Sequence, residues 1–209
     1  SNAVNNLFDL SGKVAVVTGG TRGIGGAISV ALKTAGYQVA AIYGGNDEAA
    51  QSFKQATGIA VYKCDVSNFG SCQATVTEIE GALGPVEVLV NNAGLALGTG
   101  PIQNCDLEEW KTMIDTNVTG LVTITRLLID QLIESKAIIV NLASIAASWP
   151  YPGGNVYGGT KAFVRQFSLG LRSDLFGTGV RVTSIEPGLS ESEFTLVRTG
   201  GNKDAYDKL

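Results

Sequence analysis

Tyr157 and Lys161 stand four residues apart in Tyr157-Gly158-Gly159-Thr160-Lys161, a spacing that puts a phenol and an ammonium on one face of a helix. A free phenol ionises near pH 10. A tyrosine that shuttles protons at neutrality therefore needs positive charge beside it, which Lys161 could supply. The same pair also arises by chance in helices, with the tyrosine in the core and the lysine on the surface. The chain has no histidine, which removes Ser-His-Asp hydrolysis and most catalytic zinc sites. Any acid or base here is a phenol, an amine or a carboxylate.

A second constellation is Thr18-Gly19-Gly20-Thr21-Arg22-Gly23-Ile24-Gly25. Its glycines let backbone N–H groups approach a pyrophosphate at the positive end of a following helix. The alternative is a glycine-rich turn with no ligand, and the spacing G-x-x-x-G-x-G differs from G-x-G-x-x-G.

These residues need strands and helices to hold them. Residues 13–18 form a β-branched run ending in glycines, and residues 24–35 place apolar side chains at helical spacing until Gly36 stops them. Further strands are expected at residues 37–43, 59–64, 86–90, 137–142 and 180–185. Helices are expected at 47–57, 69–83 and 157–176, with a long one at 107–135 that breaks near Gly120. Strands nearly continuous in Val, Ile and Ala, alternating with helices, predict a doubly wound α/β fold: a parallel sheet covered on both faces. In such sheets ligands lie beyond the carboxyl ends of the strands, which is where both constellations sit.

Thr18 to Gly25, Asp65-Val66 and Asn91-Asn92-Ala93-Gly94 together make the sequence resemble the short-chain dehydrogenase/reductase family. The resemblance implies a single Rossmann-type domain over residues 4–209, with Ser1-Asn2-Ala3 read as a remnant of tag removal. It implies a dinucleotide held by Gly19, Thr21, Arg22, Gly23, Ile24 and Gly25. Asp65, with Val66, would meet the adenine, although Asp65 also suits a plain turn. Asn92, Ala93 and Gly94 would line the cofactor channel. Glu186-Pro187-Gly188-Leu189 resembles the Pro-Gly segment beside the nicotinamide, so Pro187 and Gly188 are assigned there, with an ordinary turn as the alternative.

NAD-preferring relatives carry a carboxylate at the end of the second strand that binds the ribose 2′-hydroxyl and would repel a 2′-phosphate. Tyr43-Gly44-Gly45-Asn46 has none. Arg22 could pair with that phosphate, though an exposed arginine at a helix entry is also ordinary surface. NADP(H) is the expected cofactor, in preference to NAD(H).

Ser144 lies thirteen residues before Tyr157, the spacing of the family's substrate-positioning serine, and Asn117 matches its helix-interrupting asparagine. The resemblance implies a catalytic tetrad of Asn117, Ser144, Tyr157 and Lys161. Tyr157 would exchange the hydroxyl proton and Ser144 would hydrogen-bond the reacting oxygen. Lys161 would lower the Tyr157 pKa and hold the nicotinamide ribose, and Asn117 would anchor a water in a proton path. Tyr157 and Lys161 thus also count as cofactor contacts. Trp149, Tyr151 and Phe194 flank these motifs but receive no role.

Gly12 to Gly94 resembles acetoacetyl-CoA and 3-oxoacyl reductases, particularly through Ala60-Val61-Tyr62-Lys63-Cys64-Asp65-Val66, as if two relatives had been joined. Residues 148–168 resemble NADP-dependent 3-hydroxy acid dehydrogenases acting on serine, allo-threonine or 3-hydroxypropionate. Segments after the fifth and sixth strands cover the nicotinamide, so the second resemblance weighs more. A small 3-hydroxy acid is the expected substrate, an acyl thioester of a 3-oxo acid the alternative, and a non-catalytic NADP(H)-binding module the competing class.

A net charge of −4 without basic clusters argues against nucleic acid. The long uncharged stretch 137–160 is broken by Pro150, Pro152 and glycines, which does not suit a membrane span. Cys64, Cys72 and Cys105, odd in number and widely spaced, suit neither a disulfide framework nor a structural zinc site, and point to a reducing cytoplasm. Family members run further than Leu209 and add a last strand and a lid segment, which the resemblance implies are lacking here. The connection Glu134-Ser135-Lys136-Ala137 also reads as short, and Ser190 to Phe194 as abridged. A homotetramer or dimer through the helices at 107–135 and 157–176 is a further implication of the resemblance.

Overall fold

The computed structural model describes residues 12–98, 100–143 and 151–187, so Ser144, Trp149, Gly188, Ser190 and Phe194 lie outside the described residues. Within them, β1 (Val14–Thr18), β2 (Gln38–Tyr43), β3 (Ala60–Lys63), β4 (Val86–Asn91), β5 (Ile138–Leu142) and β6 (Arg181–Ile185) form one sheet. All pairings are parallel and the order is β3-β2-β1-β4-β5-β6. The helices are α1 (Gly23–Thr34), α2 (Asp47–Thr57), α3 (Phe69–Leu83), α4 (Leu107–Ile114), α5 (Leu121–Glu134) and α6 (Asn155–Asp174). This is the doubly wound, Rossmann-type sheet expected from the alternation of strands and helices. Strand order reverses between β1 and β4, which opens a crevice at their carboxyl ends.

Two cores follow from the two-residue period of the strands. Val14, Val16, Ala40, Ile42, Leu89 and Ile139 face one apolar layer, whereas Ala15, Val17, Val39, Ala41, Val88 and Val90 face the other. β1 is buried at every position, as a central strand covered on both faces must be.

Helix ends follow local signals. α1, α2 and α3 run into Gly36, Gly58 and Gly84, whose φ angles are 105°, 73° and 103°, values that cost an L side chain steric strain. α5 stops without a glycine. Lys136 takes φ 51°, its N–H donates to Ile133 O, and the Ala137 N–H donates to Leu132 O. That pair of bonds is a Schellman closure, which lets the short 134–137 connection turn directly into β5.

The interruption expected near Gly120 is a π-helical stretch, Asp115–Gly120, joining α4 to α5. A Cβ on Gly120 would lie 2.8 Å from Val66 Cγ2, so only glycine lets this helix press against the loop after β3. α6 begins at Asn155, ahead of the expected Tyr157, because Gly154 O already accepts the Gly158 N–H at 2.8 Å. Cys64 and Cys72 meet with Sγ atoms 3.9 Å apart where β3 and α3 pack, and both remain free thiols. No helix among the described residues is long and apolar enough to cross a membrane.

Candidate active site

The glycine-rich turn lies in the crevice between β1 and β4. Gly19 and Gly23 have φ of 60° and 57°, in the region that favours glycine. A Cβ on Gly25 would fall 2.0 Å from Gly19 O and 2.3 Å from Asn92 Nδ2, so the start of α1 is pressed onto the turn too tightly for any side chain. Arg22 holds the capping position in extended conformation, and neither a side-chain cap nor an acidic residue occupies the first turn of α1. The amides that begin the helix therefore keep the positive potential that suits a phosphate. Thr21 is buried beneath this turn, while Arg22, Gly23 and Ile24 are exposed along it. This cradle fits a dinucleotide pyrophosphate.

The end of β4 locks the turn in place. Thr18 Oγ1 accepts the N–H groups of Asn92 and Ala93, each at 2.9 Å, and Asn92 Nδ2 donates to Gly19 O at 3.1 Å. Thr18 opens the glycine motif but is not among the expected site residues. Its signal was present in the sequence as the hydroxyl at the last position of β1.

Tyr157 and Lys161 project from the first turns of α6 and are both 5% exposed. Tyr157 packs with Ala96 and Met113, bordered by Trp110 and Tyr151. Tyr151 thus packs beside Tyr157. Lys161 Nζ donates to Leu142 O at the end of β5, at 3.1 Å. Burial pushes its ammonium down to about 8, low enough to respond to its surroundings yet still charged at neutral pH.

Asn117 joins the pieces. From the π-helical stretch its Oδ1 accepts the Leu95 N–H at 2.7 Å, and its Nδ2 donates to Leu95 O at 2.8 Å and to Thr160 Oγ1 at 3.0 Å. Thr160 in turn donates to Tyr157 O. One amide thereby fixes the loop after β4 to the helix carrying Tyr157 and Lys161. Gly94 lies between them, where a Cβ would sit 3.2 Å from Lys161 Nζ and 3.3 Å from Asn117 Oδ1. Leu95 and Thr160 escaped the sequence reading because their roles run through backbone and neighbouring side chains of remote segments.

Asp65 shapes its own loop: its Oδ1 accepts from Ser67 N at 3.0 Å and Ser67 Oγ at 2.6 Å. The turn role is therefore present. Val66 follows it, packed against Gly120. Pro187 is half-buried just past β6.

No carboxylate occurs in Tyr43-Gly44-Gly45-Asn46, but Asp47 folds back from the first turn of α2 so that its Oδ1 accepts from the Tyr43 hydroxyl at 3.0 Å. The end of β2 does have a carboxylate beside it. The same carboxylate receives Lys63 Nζ on Oδ2 at 3.1 Å, so it is not a bare charge.

Comparison with known proteins follows the same outline. The family model described as short chain dehydrogenase matches residues 13–200. Serine 3-dehydrogenase of Rhizobium radiobacter is 48% identical over 202 residues, covering 96% of this chain and 80% of the relative. An NADP-dependent 3-hydroxy acid dehydrogenase of Escherichia coli O6:H1 is 45% identical, with 93% and 80% covered. A sulfoacetaldehyde reductase of Chromohalobacter salexigens is 46% identical, with 94% and 80% covered. Among solved structures, the closed form of a serine dehydrogenase complexed with NADP+ superposes with a TM-score of 0.88 at 44% identity, covering 93% of this chain and 80% of that one.

Proposed function

Since the chain belongs to the short-chain dehydrogenase family, we propose that it is an NADP(H)-dependent oxidoreductase interconverting a small 3-hydroxy acid and its 3-oxo form. The observation that carries this reading is the burial of Tyr157 and Lys161 together beside Gly94 and Asn117, at the mouth of a glycine cradle that fits a dinucleotide. Relatives named for serine and for 3-hydroxy acids, alike over more than nine-tenths of this chain, support the substrate class. An NADP-dependent relative and a neighbour complexed with NADP+ support the cofactor.

Gly19, Thr21, Arg22, Gly23, Ile24 and Gly25 would hold the pyrophosphate and the adenosine end. Asp65 and Val66 would border the adenine, while Asn92, Ala93, Gly94, Pro187 and Gly188 would line the path to the nicotinamide. The bound nicotinamide supplies or takes the hydride.

Tyr157 gives the proton to the carbonyl oxygen in reduction and removes it from the hydroxyl in oxidation. Lys161, titrating at about 8, keeps most of its charge at neutral pH and stabilises the phenolate form of its neighbour. Asn117 spends its side chain on Leu95 and Thr160, so it positions the helix that bears both groups. Ser144 is assigned the hydrogen bond to the reacting oxygen. Soluble, cytoplasmic operation as a homo-oligomer completes the reading.

The test is the initial rate of NADPH oxidation with malonic semialdehyde and with acetoacetyl-CoA, each repeated with NADH. Faster turnover of the free acid with NADPH is expected. Preference for the thioester would move the assignment to 3-oxoacyl thioester reduction.

A further inference from the structure

Beside the cradle, where β2 and β3 end, three side chains form a cluster that the proton-transfer chemistry does not use. Tyr43 and Lys63 are partners in the parallel register of β2 and β3, and Asp47 bridges them from α2. Its Oδ1 accepts from the Tyr43 hydroxyl at 3.0 Å and its Oδ2 from Lys63 Nζ at 3.1 Å. The glycine turn leans on the same strand end, since Gly20 N–H donates to Ile42 O at 3.1 Å. An adenosine whose pyrophosphate sits in the turn would then bring its ribose toward the end of β2, the position at which such folds read the 2′ substituent.

Charge at that position decides between cofactors. A lone Asp47 would accept a hydrogen bond from a ribose 2′-hydroxyl and repel a 2′-phosphate. Its hydrogen bonds from Lys63 and Tyr43, in that order, hold the carboxyl below its usual range, so it stays ionised and is balanced by a cation instead of by protonation. The Lys63 and Asp47 side chains are 57% and 61% exposed, which leaves the ammonium able to swing toward an arriving anion.

We propose that Lys63, through its pairing with Asp47, is a specificity-determining residue that sets how this chain discriminates a ribose 2′-phosphate from a 2′-hydroxyl. The inference rests on the NADP(H) reading and extends it from Arg22 to a charge pair. Lys63 screens Asp47 in the free protein and contributes to holding the phosphate in the complex. The two residues then act in opposite directions on the same ratio.

Calorimetric titration of the full chain with 2′,5′-ADP and with 5′-AMP reads this without turnover. Lys63→Gln should weaken 2′,5′-ADP by about fivefold while leaving 5′-AMP within about twofold, and Asp47→Asn should tighten 2′,5′-ADP by a few-fold; both effects should shrink as salt rises to roughly 0.5 M. Both side chains are solvent-exposed, and unchanged thermal unfolding checks that the variants fold. A wild-type preference for 2′,5′-ADP that neither variant moves, or that both move in one direction, overturns the inference alone. Equal binding of the two nucleotides by the wild type overturns the NADP(H) reading and the inference with it.

Discussion

The helices α1 and α6 both begin just beyond the sheet without a side-chain cap, whereas α2, α3 and α4 are capped by Asn46, Asn68 and Asp106. They use that freedom differently. The start of α1 is exposed backbone, shaped by Gly19, Gly23 and Gly25 and written in consecutive residues. The start of α6 carries two buried polar side chains, Tyr157 and Lys161, whose surroundings come from the loop after β4, from β5, α4 and the π-helical stretch. Binding a phosphate needs only amides pointed the right way, so a local motif suffices. Moving a proton needs shifted acidities, and those require desolvation by distant parts of the chain.

If the two regions divide the labour this way, substitutions should separate binding from turnover. Tyr157→Phe should lower turnover by roughly a thousandfold while NADPH affinity, followed by fluorescence titration, stays within about twofold. Gly25→Ala is its mirror: the added Cβ would meet Gly19 O at 2.0 Å and Asn92 Nδ2 at 2.3 Å. The turn must shift, and NADPH affinity should fall by more than roughly tenfold. Loss of binding and turnover together in Tyr157→Phe would break the division.

Lys161 sharpens the comparison through pH. Its ammonium titrates at about 8 in the folded protein against 10.5 ordinarily, so between those values the unfolded chain holds the extra proton and stability rises with pH. Below about 8 the ammonium is charged in both the folded and the unfolded chain, so its burial penalty no longer changes with pH. Relative to Lys161→Met, the wild type should gain up to about 3 kcal/mol between pH 8 and 10.5, read by denaturant unfolding of the cofactor-free protein. A flat difference would mean that Lys161 is not desolvated, and the contrast with α1 would lose its physical basis.

The smallest effect concerns a helix end outside both regions. Lys136→Gly relieves a positive φ at the end of α5 and should stabilise the protein by about 0.5 to 1 kcal/mol. Packing of the Lys136 stem near Gly179 offsets part of the gain. Denaturant midpoints would measure it, and an unchanged activity would confirm that the turn into β5 serves the fold alone.

The strand-helix alternation was legible because buried strands rich in Val, Ile and Ala, and glycines at helix ends, act within a few residues. The π-helical stretch was visible only as a break near Gly120, and what demands glycine there is Val66, remote in sequence, which leaves no room for a Cβ. The surroundings of the end of β2 were hidden for a similar reason: Asp47 returns to Tyr43 once α2 begins, and Lys63 reaches it only because β2 and β3 pair in register. The contact between Cys64 and Cys72 likewise arises only where β3 and α3 pack together.

By itself the sequence determined the glycine cradle, the Tyr157-Lys161 spacing and the order of elements, all set by backbone preference and periodicity over short distances. The tertiary structure alone decided the partners of Asn117, the charge beside the end of β2 and the lowered pKa of Lys161, because register and desolvation arise only when remote segments close over one another.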